Sequence, residues 1–115
     1  MYDDNNVFAK IIRGELPANK IYEDDFALAF HSIEPQANIH ALVIPKGEWT
    51  DIYDFISSAS AEIQTGFWQA VKNTADKLEV TEFKTIANTG PSAEQSVFHF
   101  HVHLLSGNIW GMEDK

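Results

Sequence analysis

The stretch His99-Phe100-His101-Val102-His103-Leu104-Leu105 decides how this chain is read. Three histidines alternate with apolar residues, and a β-strand turns successive side chains to opposite faces. A strand here puts all three imidazoles on one face, each about 6.6 Å from the next. Phe98, Phe100, Val102 and Leu104 then take the other face and belong to the core. Imidazole titrates close to neutrality, so the polar face is where chemistry is expected.

The segments leading into this strand support that reading. Thr89 to Ser96 is a loop of turn-forming residues, and small residues let successive backbone amides approach an anion. Asn88, Gln95 and Ser96 bring polar groups to the same rim. Before the loop, Phe83 to Asn88 reads as a strand. From Ser60 to Leu78, apolar residues Ile63, Phe67, Val71, Ala75 and Leu78 recur at helical spacing, with Ser58 or Ser60 as N-cap. Trp49 to Phe55 reads as a loop with a helical turn.

Nearer the start, Val7, Phe8, Ile11 and Ile12 make the apolar face of a short helix, with Asn5 or Asn6 as cap and Gly14 as its end. Lys20 to Glu23, Ala27 to Ile33 and Ile39 to Pro45 read as three strands of an antiparallel meander, separated by polar turns. His31 and His40 lie at strand ends. A single histidine in such a place is more often a structural residue than a ligand.

The chain has 115 residues, 44% of them hydrophobic, which suits one globular domain spanning 1–115. Residues 1–6 are expected to be a flexible tail and 108–115 a second one. The formal net charge is -9, and no run of Lys or Arg offers the basic stripe that a nucleic-acid polymer requires. With no cysteine, disulfides, thiolate catalysis and Cys-type zinc sites are excluded. The acidic start does not look like a secretory leader, and no apolar run is long enough for a bilayer span, so no membrane association is expected. The expected location is cytoplasmic.

Three readings of the histidine strand compete. The imidazoles can be merely solvated, although three of the chain's five histidines on one face argues against that. His-x-His is also a metal-ligand spacing, with Glu94 and His40 as further ligands; the next acid after His103 is only Glu113. The third reading is nucleophilic catalysis at phosphorus, where neutral imidazole attacks and a neighbour supplies a proton.

His99-Phe100-His101-Val102-His103-Leu104-Leu105 resembles the motif of the histidine triad family of nucleotide-binding proteins. The resemblance extends over Phe8 to Ala18, Ala29 to Ile33, Pro35 to Lys46, Asn88-Thr89-Gly90 and Gln95-Ser96-Val97, about Val7 to Gly107 in all. It implies an α+β fold with a five-stranded antiparallel sheet, one long helix, a short N-terminal helix and a two-fold homodimer. The third histidine, with Ser96 before the motif, resembles the branch that hydrolyses purine nucleoside phosphoramidates. Dinucleoside polyphosphate hydrolysis, or nucleotide binding and scaffolding with incidental hydrolysis, are the alternatives.

By matching positions, the resemblance makes His101 the nucleophile, His103 and His40 phosphate contacts, and His99 a support for His101. Ser96 lies near the leaving amine. Phe8, Ile11, Phe30 and Ile33 form the base pocket, while Ser32, Asn88 and Gln95 address ribose and phosphate. The resemblance implies no metal and no other cofactor. Two departures bear on substrate choice. Ser32 stands where many relatives carry an aspartate that holds both ribose hydroxyls, and Glu94 replaces a customary glycine beside the phosphate loop.

Overall fold

The computed structural model describes residues 1–112. Helix α1 spans Val7–Ile12, and Asn6 caps it by accepting the Ala9 N–H at 2.9 Å through its side-chain oxygen. Gly14, at φ +79°, turns the chain out of that helix in the left-handed conformation that glycine adopts without cost. Strands β1 (Lys20–Glu23), β2 (Ala27–His31) and β3 (Ala37–Pro45) follow as the expected meander, β2 ending two residues early. Then come α2 (Ile52–Ser58), α3 (Ala61–Leu78), β4 (Lys84–Ile86), a 3₁₀ turn at Pro91–Ala93 and β5 (Val102–Ile109). The stretch around Trp49 to Phe55 therefore yields a whole short helix, capped by Asp51, rather than one helical turn in a loop.

All strand pairs are antiparallel, and the sheet order is β1-β2-β3-β5-β4. The α+β fold with a five-stranded antiparallel sheet is thus the one the family resemblance implies. Both faces of the central strands are covered, so β2 and β3 are buried almost continuously instead of alternating with solvent.

The alternation divides the core in two. Ala27, Ala29, Ala41, Val43, Val102 and Leu104 face α3 and pack with Phe55, Phe67 and Phe100. The alanines leave room for α3 to lie close to the sheet, where Gly66 sits against the Phe26 ring without space for a Cβ. Leu28, Phe30, Leu42 and Ile44 face the other way and pack with Phe8 and Ile11 of α1. His40 and His103 share this second face by register, His40 opposite Leu105 and His103 opposite Leu42. Among the described residues, no helix is long and apolar enough to cross a membrane.

Three expectations need correction. Strand β5 begins at Val102, so His99 and His101 precede the ladder, because the Phe100 N–H is taken by the Trp49 carbonyl at 2.7 Å. Phe98 is not core but 39% exposed. Asn108 and Ile109, assigned to the C-terminal tail, belong to β5; the Asn108 N–H donates to the Asn38 side-chain oxygen at 2.6 Å. Residues 113–115 of that tail, Glu113 included, lie outside the described residues.

Candidate active site

His101 and His103 line a cavity of about 620 Å³, together with Ser96 and Asn88. Their rings meet edge to face with centroids 5.1 Å apart. His103 is held by β5, whereas His101 stands on irregular backbone and is 5% exposed. Phe8 of α1 presses on His101 with centroids 5.0 Å apart and on Phe30 at 5.6 Å. One apolar cluster therefore buttresses the imidazole.

Hydrogen-bond partners assign the tautomers. The His99 carbonyl can only accept, so His101 donates its Nδ1–H to it at 2.8 Å. The remaining nitrogen of neutral His101, Nε2, carries a lone pair. Among the described residues no buried side-chain nitrogen or oxygen lacks a partner, so this nitrogen is open to the cavity. On β3, the Gln36 N–H donates to His40 Nδ1 at 3.0 Å, which leaves the proton of neutral His40 on Nε2. That proton is donated to His103 Nδ1 at 2.9 Å, so His103 keeps its own proton on Nε2. The site thus pairs one nitrogen that can attack with one N–H that can bind an oxygen anion.

Burial keeps these rings neutral. Desolvation pulls His103 down to about 3, helped by the neighbouring His101 and His40. Desolvation likewise takes His99 to about 4, against the opposing pull of the Pro45 carbonyl. His101 and His40 are lowered too, in both cases mainly by burial. A neutral imidazole at pH 7 is the form needed for attack.

His99 lies beneath this layer, 1% exposed. Its Nε2–H donates to the Pro45 carbonyl at 2.8 Å, and its Nδ1 accepts from the Tyr2 hydroxyl at 2.6 Å. Tyr2 was expected in a flexible tail, and nothing in its local sequence announces a partner 97 positions away. The hydroxyl pins the residue whose carbonyl orients His101. Tyr2→Phe is expected to lose about 2 kcal/mol of unfolding free energy in urea, the cost of orphaning a buried acceptor. An unchanged unfolding midpoint would show that the bond does not stabilise the fold.

The other expected site residues divide. Phe8, Ile11 and Phe30 are packed together beside the histidines. Ile33 does not join them, being 94% exposed beyond the end of β2. Ser32 accepts the Glu34 N–H at 3.2 Å and does not line the cavity. Gln95 braces its own loop: its oxygen accepts from Gly90 N–H at 2.8 Å, and its amide donates to Thr50 and Val97 carbonyls at 2.8 and 3.0 Å. Gln36 and Trp110, which sequence reasoning missed, are in the cavity wall. Among the described residues, no group of three or more His, Asp or Glu side chains is placed to hold a metal ion.

Comparison with known proteins agrees with this architecture. The model of the HIT domain matches residues 13–109. A HIT-like protein of Azospirillum brasilense is 44% identical over 96% of this chain and 92% of its own length. A maize protein named as a 14 kDa zinc-binding protein is 39% identical over 91% of this chain and 84% of its own length. Among solved structures, a HIT family hydrolase from Clostridium thermocellum superposes with a TM-score of 0.85 at 36% identity, covering 98% of this chain and 97% of that one. A histidine triad protein from Clostridium difficile gives 0.84 at 33% identity, covering 99% of this chain and all of the other. With the domain model spanning most of its length and relatives aligned nearly end to end, the chain belongs to the HIT domain family.

Proposed function

We propose that this protein hydrolyses the phosphorus–nitrogen bond of purine nucleoside 5′-phosphoramidates through a nucleotidyl-histidine intermediate. The observation that carries the proposal is His101, whose Nδ1–H is held by the His99 carbonyl while Nε2 faces the cavity unprotonated. Relatives described as HIT family hydrolases, from Clostridium thermocellum and Legionella pneumophila, support hydrolysis as the reaction type.

In the first step Nε2 of His101 attacks the phosphorus, the phosphorus–nitrogen bond breaks, and the amine departs with a proton delivered through Ser96 and adjoining water. The His99 carbonyl stabilises the positive charge that His101 then carries. His103 donates its Nε2–H to a phosphate oxygen, and His40 holds His103 in the tautomer that allows it. In the second step water attacks phosphorus, the bond to His101 breaks, a proton of that water passes to solvent, and His101 returns to its neutral form. The products are the nucleoside monophosphate and the free amine.

Phe8, Ile11 and Phe30 are buried and do not line the cavity; in this reading their apolar, aromatic cluster beside His101 backs the surface on which a purine would lie. Asn88 would meet the ribose or phosphate at the rim, and Ser32, lacking a carboxylate, would hold ribose less firmly than an acid does. The active form is proposed to be a homodimer, which light scattering reads directly as twice the chain mass.

The test is a substrate panel with a chelator present throughout. Adenosine and guanosine 5′-phosphoramidates are expected to be cleaved with kcat/KM at least about 100-fold above that for a dinucleoside polyphosphate. The reverse order would favour polyphosphate hydrolysis. Binding without turnover of either would leave a nucleotide-binding protein.

A further inference from the structure

The cavity in front of His101 and His103 must receive an anion, yet no lysine or arginine is among the described residues that line it. Of the ten described residues that line it, Glu94 alone carries a formal charge while the imidazoles are neutral, and that charge is negative. A carboxylate in this place opposes a bare phosphate and attracts a cation.

Glu94 is also held there at a cost. It closes the 3₁₀ turn in the left-handed conformation, φ 71° and ψ 20°, which a side chain disfavours and glycine does not. The loop leaves it little alternative. The Glu94 N–H donates to the Pro91 carbonyl at 3.0 Å, the Gln95 N–H to the Gly90 carbonyl at 3.1 Å, and the Gln95 side chain accepts the Gly90 N–H. Such a disfavoured conformation beside a reactive group is the kind that function, rather than folding, retains.

A second group of suitable chemistry lines the same cavity. Trp110 is anchored just ahead of β3 by its backbone N–H, which donates to the Gln36 carbonyl at 2.9 Å, and the residue lines the cavity. A carboxylate and an indole are the two side chains that most favour an ammonium group, one by charge and one by its π-face.

We propose that Glu94 and Trp110 form a leaving-group subsite that selects amines bearing a second, positively charged ammonium over neutral or anionic ones. This rests on the phosphoramidate reading given above. A cationic leaving group offsets the repulsion between the nucleotide phosphate and Glu94, so the substrate brings the positive charge that the described lining lacks. The chemical class is therefore a nucleoside 5′-phosphoramidate of a diamine or of another amine with a remote cationic centre.

The experiment compares two adenosine 5′-phosphoramidates of matched shape, one formed from 2-(trimethylammonio)ethylamine and the other from 3,3-dimethylbutylamine. Wild-type kcat/KM is expected to favour the cationic substrate about tenfold at low ionic strength, with the ratio shrinking as salt is added. In Glu94→Gln the ratio is expected to fall to about twofold or less, since the shape remains and the charge is gone. Glu94→Gly, which also relieves the left-handed backbone, should give the same loss if charge is the cause. A ratio near unity in the wild type, or one unchanged in both variants while both substrates are turned over, overturns the subsite and leaves the hydrolase reading intact. Failure of folded wild-type protein to cleave either substrate overturns the phosphoramidate reading and the subsite with it.

Discussion

His101→Ala is expected to reduce phosphoramidate turnover on the order of 10⁴-fold or more, because it removes the attacking nitrogen instead of a group that assists it. The ring occupies a defined place: it donates to the His99 carbonyl, meets the edge of Phe8, and opens Nε2 to the cavity. Alanine also leaves a void, so His101→Gln serves as a control of more similar size. Both variants should lose the covalent nucleotidyl adduct that acid quenching traps in the wild type. If His101→Gln retained turnover within about tenfold of wild type, covalent catalysis at this position would be wrong. Lowering of the His101 pKa by burial also sets the acid side of the activity profile. Activity should persist below pH 6.5, the ordinary midpoint of histidine, and decline only as His101 and His103 become protonated.

The same burial should make the fold sensitive to acid. His99 is neutral in the native state until about pH 4, whereas in the unfolded chain it takes a proton near the ordinary value of 6.5. Between those limits the unfolded state binds more protons, so stability rises with pH and is lost as pH falls. His99 alone should remove about 3 kcal/mol by the time the pH is below 4, and His103 shifts in the same direction. Urea midpoints measured from pH 7 to pH 4 should therefore fall steadily, with the loss beginning near 6.5. A flat dependence from pH 7 to pH 5 would contradict the burial-driven shifts.

Much of this molecule was legible from local pattern. Strand β1 occupies Lys20–Glu23 as expected, Ser60 caps α3, and Phe100, Val102 and Leu104 do pack in the core. These features depend on periodicity and short-range capping, which a linear sequence displays. What escaped depends on single long-range bonds. The Trp49 carbonyl keeps Phe100 out of the ladder, and Tyr2 reaches His99 across nearly the whole chain. Gln95 looked like a rim residue because it is polar and close to the triad, yet its amide is fully occupied in bracing the loop. Ile33 looked apolar enough for a base pocket, but β2 ends before it and leaves it in solvent.

The late start of β5 has a further consequence. A backbone carbonyl inside a regular ladder is already committed to the neighbouring strand, so it has less to offer an imidazole. Because His99 precedes Val102, where pairing begins, its carbonyl is free to take the His101 Nδ1–H. Three histidines transplanted onto an ordinary strand would keep their two-residue spacing but lose the acceptor that fixes the reactive tautomer. A designer copying this site would have to carry over the irregular approach to the strand, and the distant carbonyl that sustains it, along with the motif itself.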